Sequence, residues 1–138
     1  MNSLRIDTGT VRIMVNDDEN RVIEFNPTDV LFVEKFYNLI KKFEEKEEDY
    51  RKQIEEITSN KEVDPYGLPI NTEATLKIIL EICNFLRSQI DQVFGEGTSE
   101  KAFGSNQTLN MFEQFFTGIT PYIQEARAEK TSKYVVTR

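Results

Sequence analysis

Residues 90–104 read Ile90-Asp91-Gln92-Val93-Phe94-Gly95-Glu96-Gly97-Thr98-Ser99-Glu100-Lys101-Ala102-Phe103-Gly104. A strongly apolar helical run precedes this stretch and stops at Gly95, because glycine takes the left-handed conformation that closes a helix at little cost. Thr98 is the expected cap of a new short helix, with Glu100 in its first turn, where the helix dipole favours negative charge. Gly104 closes that turn, and Ser105 or Asn106 is the expected cap of the next helix. One helix end, one helical turn and one helix start thus fall within about seventeen residues. Phe94, Gly95, Gly97, Thr98, Phe103 and Gly104 are expected to build a rigid corner, residues 95–105, between two long helices.

The G-E-G-T-S run invites a second reading as a phosphate cradle, since helix N-termini attract anions. It lacks the G-x-x-x-x-G-K-[ST] spacing, it follows a helix rather than a strand, and Glu96 sets a carboxylate where a phosphate would sit. The structural corner is the better reading.

Upstream of the corner, Leu76, Ile79, Leu80, Cys83, Leu86, Ile90 and Val93 or Phe94 recur at helical spacing, while Ile78, Ile82 and Phe85 widen the apolar face. A helix over about 72–94, capped by Asn71 or Thr72 and apolar over so much of its surface, belongs at the centre of the domain. Cys83 reads as a buried small hydrophobe. Downstream, Leu109, Phe112, Phe115, Phe116, Ile119, Tyr122 and Ile123 mark a helix over about 107–127. Gly118 and Thr120-Pro121 interrupt it, so a kink near 118–121 or a restart capped by Thr120 is expected. Its phenylalanines suit a core, and any of Phe112, Phe115 and Phe116 left exposed would form a patch for a partner.

At the other end, Val11–Val15 and Arg21–Phe25 alternate apolar with polar residues, the period of half-buried strands. With Asn16-Asp17-Asp18-Glu19-Asn20 between them they predict a β-hairpin over about 11–25 with a five-residue loop. That acidic loop lacks the glycine and distal glutamate of a calcium loop, so it reads as a solvated turn. Residues 1–9 are expected to be poorly ordered.

Asn26-Pro27-Thr28-Asp29 predicts a helix start, with Asn26 as cap, Pro27 in the first turn and a staple between Phe25 and Val30. The helix then runs unbroken over about 27–58. Val30, Leu31, Phe32, Val33, Phe36, Tyr37, Leu39, Ile40 and Phe43 bury its first half. In the charged second half only Tyr50, Ile54 and Ile57 remain apolar. Phe36, Phe43, Tyr50 and Ile57 recur every seven residues, a narrow stripe for helix contact. Such a helix is about 48 Å long against a globule about 37 Å across, so its charged half is expected to project and to self-associate through this stripe.

The link over 59–70 carries a β-turn signal at Asp64-Pro65-Tyr66-Gly67, and two arrangements are open to it: a mobile link, or one packed through Tyr66 and Leu68. The tail over 128–138 is expected to be flexible.

The 138 residues carry a net charge of −7 and no histidine, with Cys83 the single cysteine. One domain of mainly α class follows, an N-terminal β-hairpin packed on a bundle of three main helices with a short helical corner (α+β by strict count). The acidic balance disfavours nucleic acid and anionic membranes as partners. The absence of histidine removes the commonest general base and metal ligand, and no nucleophile–base or metal-ligand spacing stands in its place. No enzyme activity, cofactor or metal is expected. One cysteine fits a reducing cytoplasm, and neither a signal peptide nor a membrane span is legible.

The string V-F-G-E-G-T-S-E-K-A-F-G, following a helix that ends in I-D, resembles a family of small proteins from tailed phages of Gram-positive bacteria, the tail assembly chaperones encoded near the tape-measure protein. The likeness extends to the hairpin-then-helix opening and to T-P-Y-I-Q-E-A-R, and so covers most of the chain. No catalytic residues come with it. It implies a non-enzymatic protein of the host cytoplasm that binds and solubilises the tape-measure protein until tail-tube subunits polymerise around it. On this reading Phe36, Phe43, Tyr50, Ile54, Ile57, Phe112, Phe115 and Phe116 are the candidate contact residues. The alternatives are a self-assembling structural virion protein and a small helical regulatory module.

Overall fold

The computed structural model describes residues 1–58 and 61–136, and side chains for residues 1–57 and 61–128. The chain is mainly helical behind an N-terminal antiparallel hairpin. In order it forms β1 (Val11–Val15), β2 (Asp18–Phe25), α1 (Val30–Thr58), α2 (Thr72–Phe94), α3 (Thr98–Phe103) and α4 (Leu109–Val136).

The hairpin turn is tighter than the five residues expected from sequence. Asn16 and Asp17, at φ 53° and 58°, are its two central residues, the left-handed pair that matches the twist of the flanking strands. Asx residues tolerate that conformation, and the extra turn-like residues are absorbed inside β2. Met14 pairs with Val22 but Val15 pairs with Asp18, so residues 19–21 bulge from the ladder. Ile23 and Phe25 then point into the core, while Arg12 and Glu24 form an exposed pair outside.

α1 begins three residues later than Pro27. Asn26–Asp29 is a turn closed by the Asp29 N–H on the Asn26 carbonyl, and the Asn26 side chain accepts the Thr28 N–H. Asp29 is the true cap, its carboxylate accepting the Leu31 N–H at 3.0 Å. Val30 is 56% exposed, so no staple joins it to Phe25; that ring stacks on Phe32 instead, centroids 5.8 Å apart. Leu31 and Tyr37 are likewise exposed, leaving Phe32, Phe36, Leu39 and Phe43 as the buried stripe. The segment before β1 has no regular structure, but the Thr8 carbonyl accepts from the Thr28 hydroxyl at 3.1 Å, tethering it to the turn.

α2 runs antiparallel to α1. Asn71 Nδ2 donates to the Ile57 carbonyl at one end, and Lys42 Nζ to Gln89 Oε1 at 2.8 Å further along. Asn71 therefore ties the two helices together rather than capping α2 with its side chain, and the Thr72 hydroxyl donates to the Pro69 carbonyl. α2 is central only over its second half, where Ile82, Cys83, Leu86 and Ile90 are buried.

α4 starts at Leu109, because Asn106 and Gln107 spend their side chains elsewhere. Asn106 donates to the Phe103 carbonyl, and Gln107 donates to Asn84 while accepting from Arg87. The helix is unbroken through Pro121 and continues to Val136, with no restart at Thr120. Pro121 lacks the N–H that would bond Thr117, and the Thr120 hydroxyl donates to the Phe116 carbonyl at 2.7 Å. The segment expected to be a flexible tail from 128 is therefore helical through 136, and its last two residues lie outside the described chain.

Nine of the ten phenylalanines join one network of ring contacts that holds the hairpin, α1, the corner and α4 together. Phe94 lies at its centre, 5.1 Å from both Phe32 and Phe115 and within 6 Å of Phe25 and Phe36. Such edge-to-face pairs add to the gain from burying the rings themselves.

Candidate interaction surfaces

The corner organises the fold through the six residues of α3. Gly95, at φ 119° and ψ 150°, ends α2, and its N–H still bonds the Asp91 carbonyl. Gly97, left-handed at φ 89°, is the residue before α3, so Thr98 opens that helix rather than capping it. The missing cap comes from α2: the Asp91 carboxylate accepts the Ser99 N–H at 2.8 Å and the Ser99 hydroxyl at 3.0 Å. The Thr98 hydroxyl turns back to the Gly95 carbonyl.

Two arginines close the other end of α3. Arg21 of β2 donates to the Lys101 and Ala102 carbonyls, each at 2.8 Å. Arg87 donates to the Gly104 and Asn106 carbonyls and to Gln107, and lies over the Phe103 ring. An anion at the start and two cations at the end complement the dipole of this short helix. Sequence reading found the glycines and the rings but missed Arg21, Arg87 and Asp91. The visible signal was Arg87 and Asp91 at i, i+4 in the last two turns of α2.

These polar groups are consumed by structure, so chemistry with an outside molecule must use the surface. Among the expected contact residues, Phe36, Phe43, Phe112 and Phe116 are all buried in the molecule's own core, none more than 6% exposed. Phe115 is half-buried against Phe94, Phe103 and Phe116. Tyr50 packs partly buried against the same core, and Ile54 and Ile57 are half-buried. The stripe on α1 is therefore covered at home. The expectation of a projecting half-helix assumed a spherical globule; instead α1 and α2 pair as an elongated hairpin, about 44 and 35 Å long at 1.5 Å per residue.

One open apolar surface lies at the far tip of that hairpin. Val63, Tyr66, Leu68 and Ile70 in the connection and Leu76 and Leu80 on α2 are all exposed, Tyr66 by 90%. Tyr66 and Leu68 stay exposed outside the core, and Leu76 and Leu80 do not join the core as their spacing suggested. The connection is nonetheless ordered into a small hook. Val63 bridges Pro69, the Gly67 N–H bonds the Asp64 carbonyl, and the Asp64 carboxylate accepts the N–H groups of Tyr66 and Leu68. Beneath it a groove of about 430 Å³ is lined by Val63, Pro69, Thr72, Thr75 and Leu76. Four large apolar side chains on this ordered hook, with Leu76 and Leu80 of α2 beside them, form an exposed apolar surface of the kind that suits another protein.

Two further grooves flank α4. One of about 490 Å³ separates it from the hairpin, lined by Ile13, Val15, Met111, Phe115 and Ile119. The other, of about 500 Å³, separates it from α1. Cys83 is wholly buried, and desolvation raises its thiol above the ordinary pKa, with nearby Arg87 opposing in part. Among the described residues no helix is long and apolar enough to cross a membrane.

The fold and its surfaces thus define a mainly helical chain with an N-terminal hairpin, whose polar interior groups lock a corner and which exposes six large apolar residues at one tip. Residues 19–138 match the family of unknown function DUF6673, and the chain belongs to that family. No curated protein and no solved structure matches it.

Proposed function

We propose that this protein is a non-enzymatic binder that acts as a tail assembly chaperone, holding the tape-measure protein in solution in the host cytoplasm until tail-tube subunits replace it. The observation that carries the binding role is the tip: six exposed large apolar residues on a chain of net charge −7. An apolar surface takes up the apolar stripe of a long helical client, and the acidic remainder keeps the complex dispersed by like-charge repulsion. The hook gives that surface a fixed shape, which lowers the ordering cost of binding, while its small size keeps affinity modest enough for displacement. The choice of client rests on the resemblance of the V-F-G-E-G-T-S-E-K-A-F-G string.

The test is co-expression with the tape-measure protein of the same genome, followed by affinity capture. Wild-type chain is expected to keep the client in the soluble fraction and to co-purify with it. The Leu76→Asp/Leu80→Asp variant is expected to fold normally and lose both effects. A client equally insoluble with and without the wild-type chain would refute the chaperone role. A double variant that still captures the client would refute the tip as its seat.

A further inference from the structure

The groove between α1 and α4 has a one-sided charge that the tip lacks. Its apolar floor is Ile40, Phe43, Phe116 and Pro121, and its rim carries Glu44 and Glu47 from α1 and Glu113 from α4. Among the described residues none of these three carboxylates has an ion-pair partner. The lysines of the same stretch of α1 face other neighbours: Lys42 reaches Gln89, Lys46 lies over the Phe85 ring of α2, and Lys41 lies over Tyr37. α1 therefore presents Glu44 and Glu47 towards α4, and Lys42 and Lys46 towards α2. A groove with an apolar floor and an uncompensated acidic rim fits a cationic segment that also carries apolar side chains.

The chain contains one such segment. Residues 127–138 hold Arg127, Lys130, Lys133 and Arg138 against Glu129 alone, with Tyr134, Val135 and Val136 among them. This segment is net +3, which leaves −10 on residues 1–126 of the total −7. It cannot fill the groove of its own chain while α4 remains one helix, because α4 from Glu113 to Gln124 is a wall of that groove. Continuing to Val136, the helix carries its end about 18 Å past Gln124.

We propose that the α1–α4 groove seats the cationic C-terminal segment, residues 127–138, of a second copy of this chain. The two surfaces differ, so the contact is head-to-tail, and each bound copy still offers one free groove and one free segment. The groove uses none of the tip residues, so this association does not depend on the client-binding reading and leaves the tip free.

Sedimentation velocity on two variants and their mixture tests it. Glu44→Lys/Glu47→Lys/Glu113→Lys destroys the rim and keeps the segment; a chain ending at Ala128 keeps the groove and lacks the segment. All three glutamates are exposed or half-buried, and among the described residues every buried one precedes Ala128, so both variants are expected to keep the wild-type fold by circular dichroism. Wild type is expected to grow in mass with concentration at low salt, with the association weakening on the order of tenfold or more at high salt as the exposed ion pairs are screened. Each variant alone is expected to stay monomeric. Their equimolar mixture is expected to form a one-to-one dimer and nothing larger, since one intact groove meets one intact segment. A monomeric wild type would overturn the proposal, showing that the groove is empty, filled within the chain or reserved for another protein. Association that survives either change, or a mixture that stays monomeric, would overturn it equally.

Discussion

Gly95→Ala and Gly118→Ala make the same chemical change, adding one methyl group, and the structure assigns them opposite signs. A Cβ built at either position meets nothing within 4 Å, so steric clash is absent from both. The difference is the backbone. Gly95 holds φ 119° and ψ 150°, a region that is almost closed to residues with a side chain, and forcing alanine into it costs about 1–3 kcal/mol. Gly118 lies inside α4 without a positive φ, so alanine there stabilises by about 0.5–1 kcal/mol through helix propensity. Unfolding entropy for a chain of this length is about 0.3 kcal/mol/K at the midpoint, which converts these figures to a fall of about 3–10 °C and a rise of about 2–3 °C. Thermal melts followed by circular dichroism at 222 nm read both, with the double variant expected to show the sum. An unchanged or raised midpoint for Gly95→Ala would refute the claim that the corner requires that backbone. A fall for Gly118→Ala would show that the helix is strained around Pro121.

Asp91→Ala removes the cap that α2 supplies to α3 and leaves the nearly buried Ser99 without its acceptor, so a loss of about 1–3 kcal/mol in urea melts is expected. A loss no greater than that of an exposed control such as Glu96→Ala would dismiss the cap. Phe116→Ala empties a ring held between Phe36, Phe43 and Phe115 and is expected to cost about 3–5 kcal/mol; a cost below 1 kcal/mol would mean that α4 is not docked on α1. Cys83 is expected to resist thiol reagents in the folded chain and to react at once in denaturant. Because burial raises its folded pKa, its stabilising contribution is complete below the unfolded thiol value near about 8.5 and is lost as pH rises beyond it. Urea midpoints are expected to decline across that range more steeply for wild type than for Cys83→Ala, and equal slopes would remove the thiol from the account.

The elements themselves were legible because each is written in local chemistry. The strand alternation of Val11–Val15, the apolar spacing of α2 and α4, and the glycines at 95, 97 and 104 are properties of a few adjacent residues. The Asp64–Gly67 turn is another, and it forms as its residues dictate. Boundaries were less legible, because a side chain has more than one use. Asn26 and Asn71 look like caps, yet their amides bond the turn before α1 and the end of α1. Pro121 reads as a break, yet neighbouring contacts hold α4 through it.

What a residue packs against was decided by tertiary structure alone. Phe36, Phe43, Tyr50 and Ile57 form a seven-residue stripe whether the partner is a second chain or α2, since periodicity specifies a face and not its neighbour. Leu76 and Leu80 share the spacing of Leu86 and Ile90, yet the first pair is open to solvent and the second is sealed. The hairpin, the corner and α4 converge only on the second half of α2, so burial there comes from elements distant in sequence. The acid-rimmed groove has the same origin: Glu44 and Glu47 belong to a charged run like many others until Glu113, sixty-six residues beyond Glu47, is brought to the opposite bank. Local sequence determines which faces are apolar and which are charged, and only the crossing of helices determines which of those faces meet and which remain for a partner.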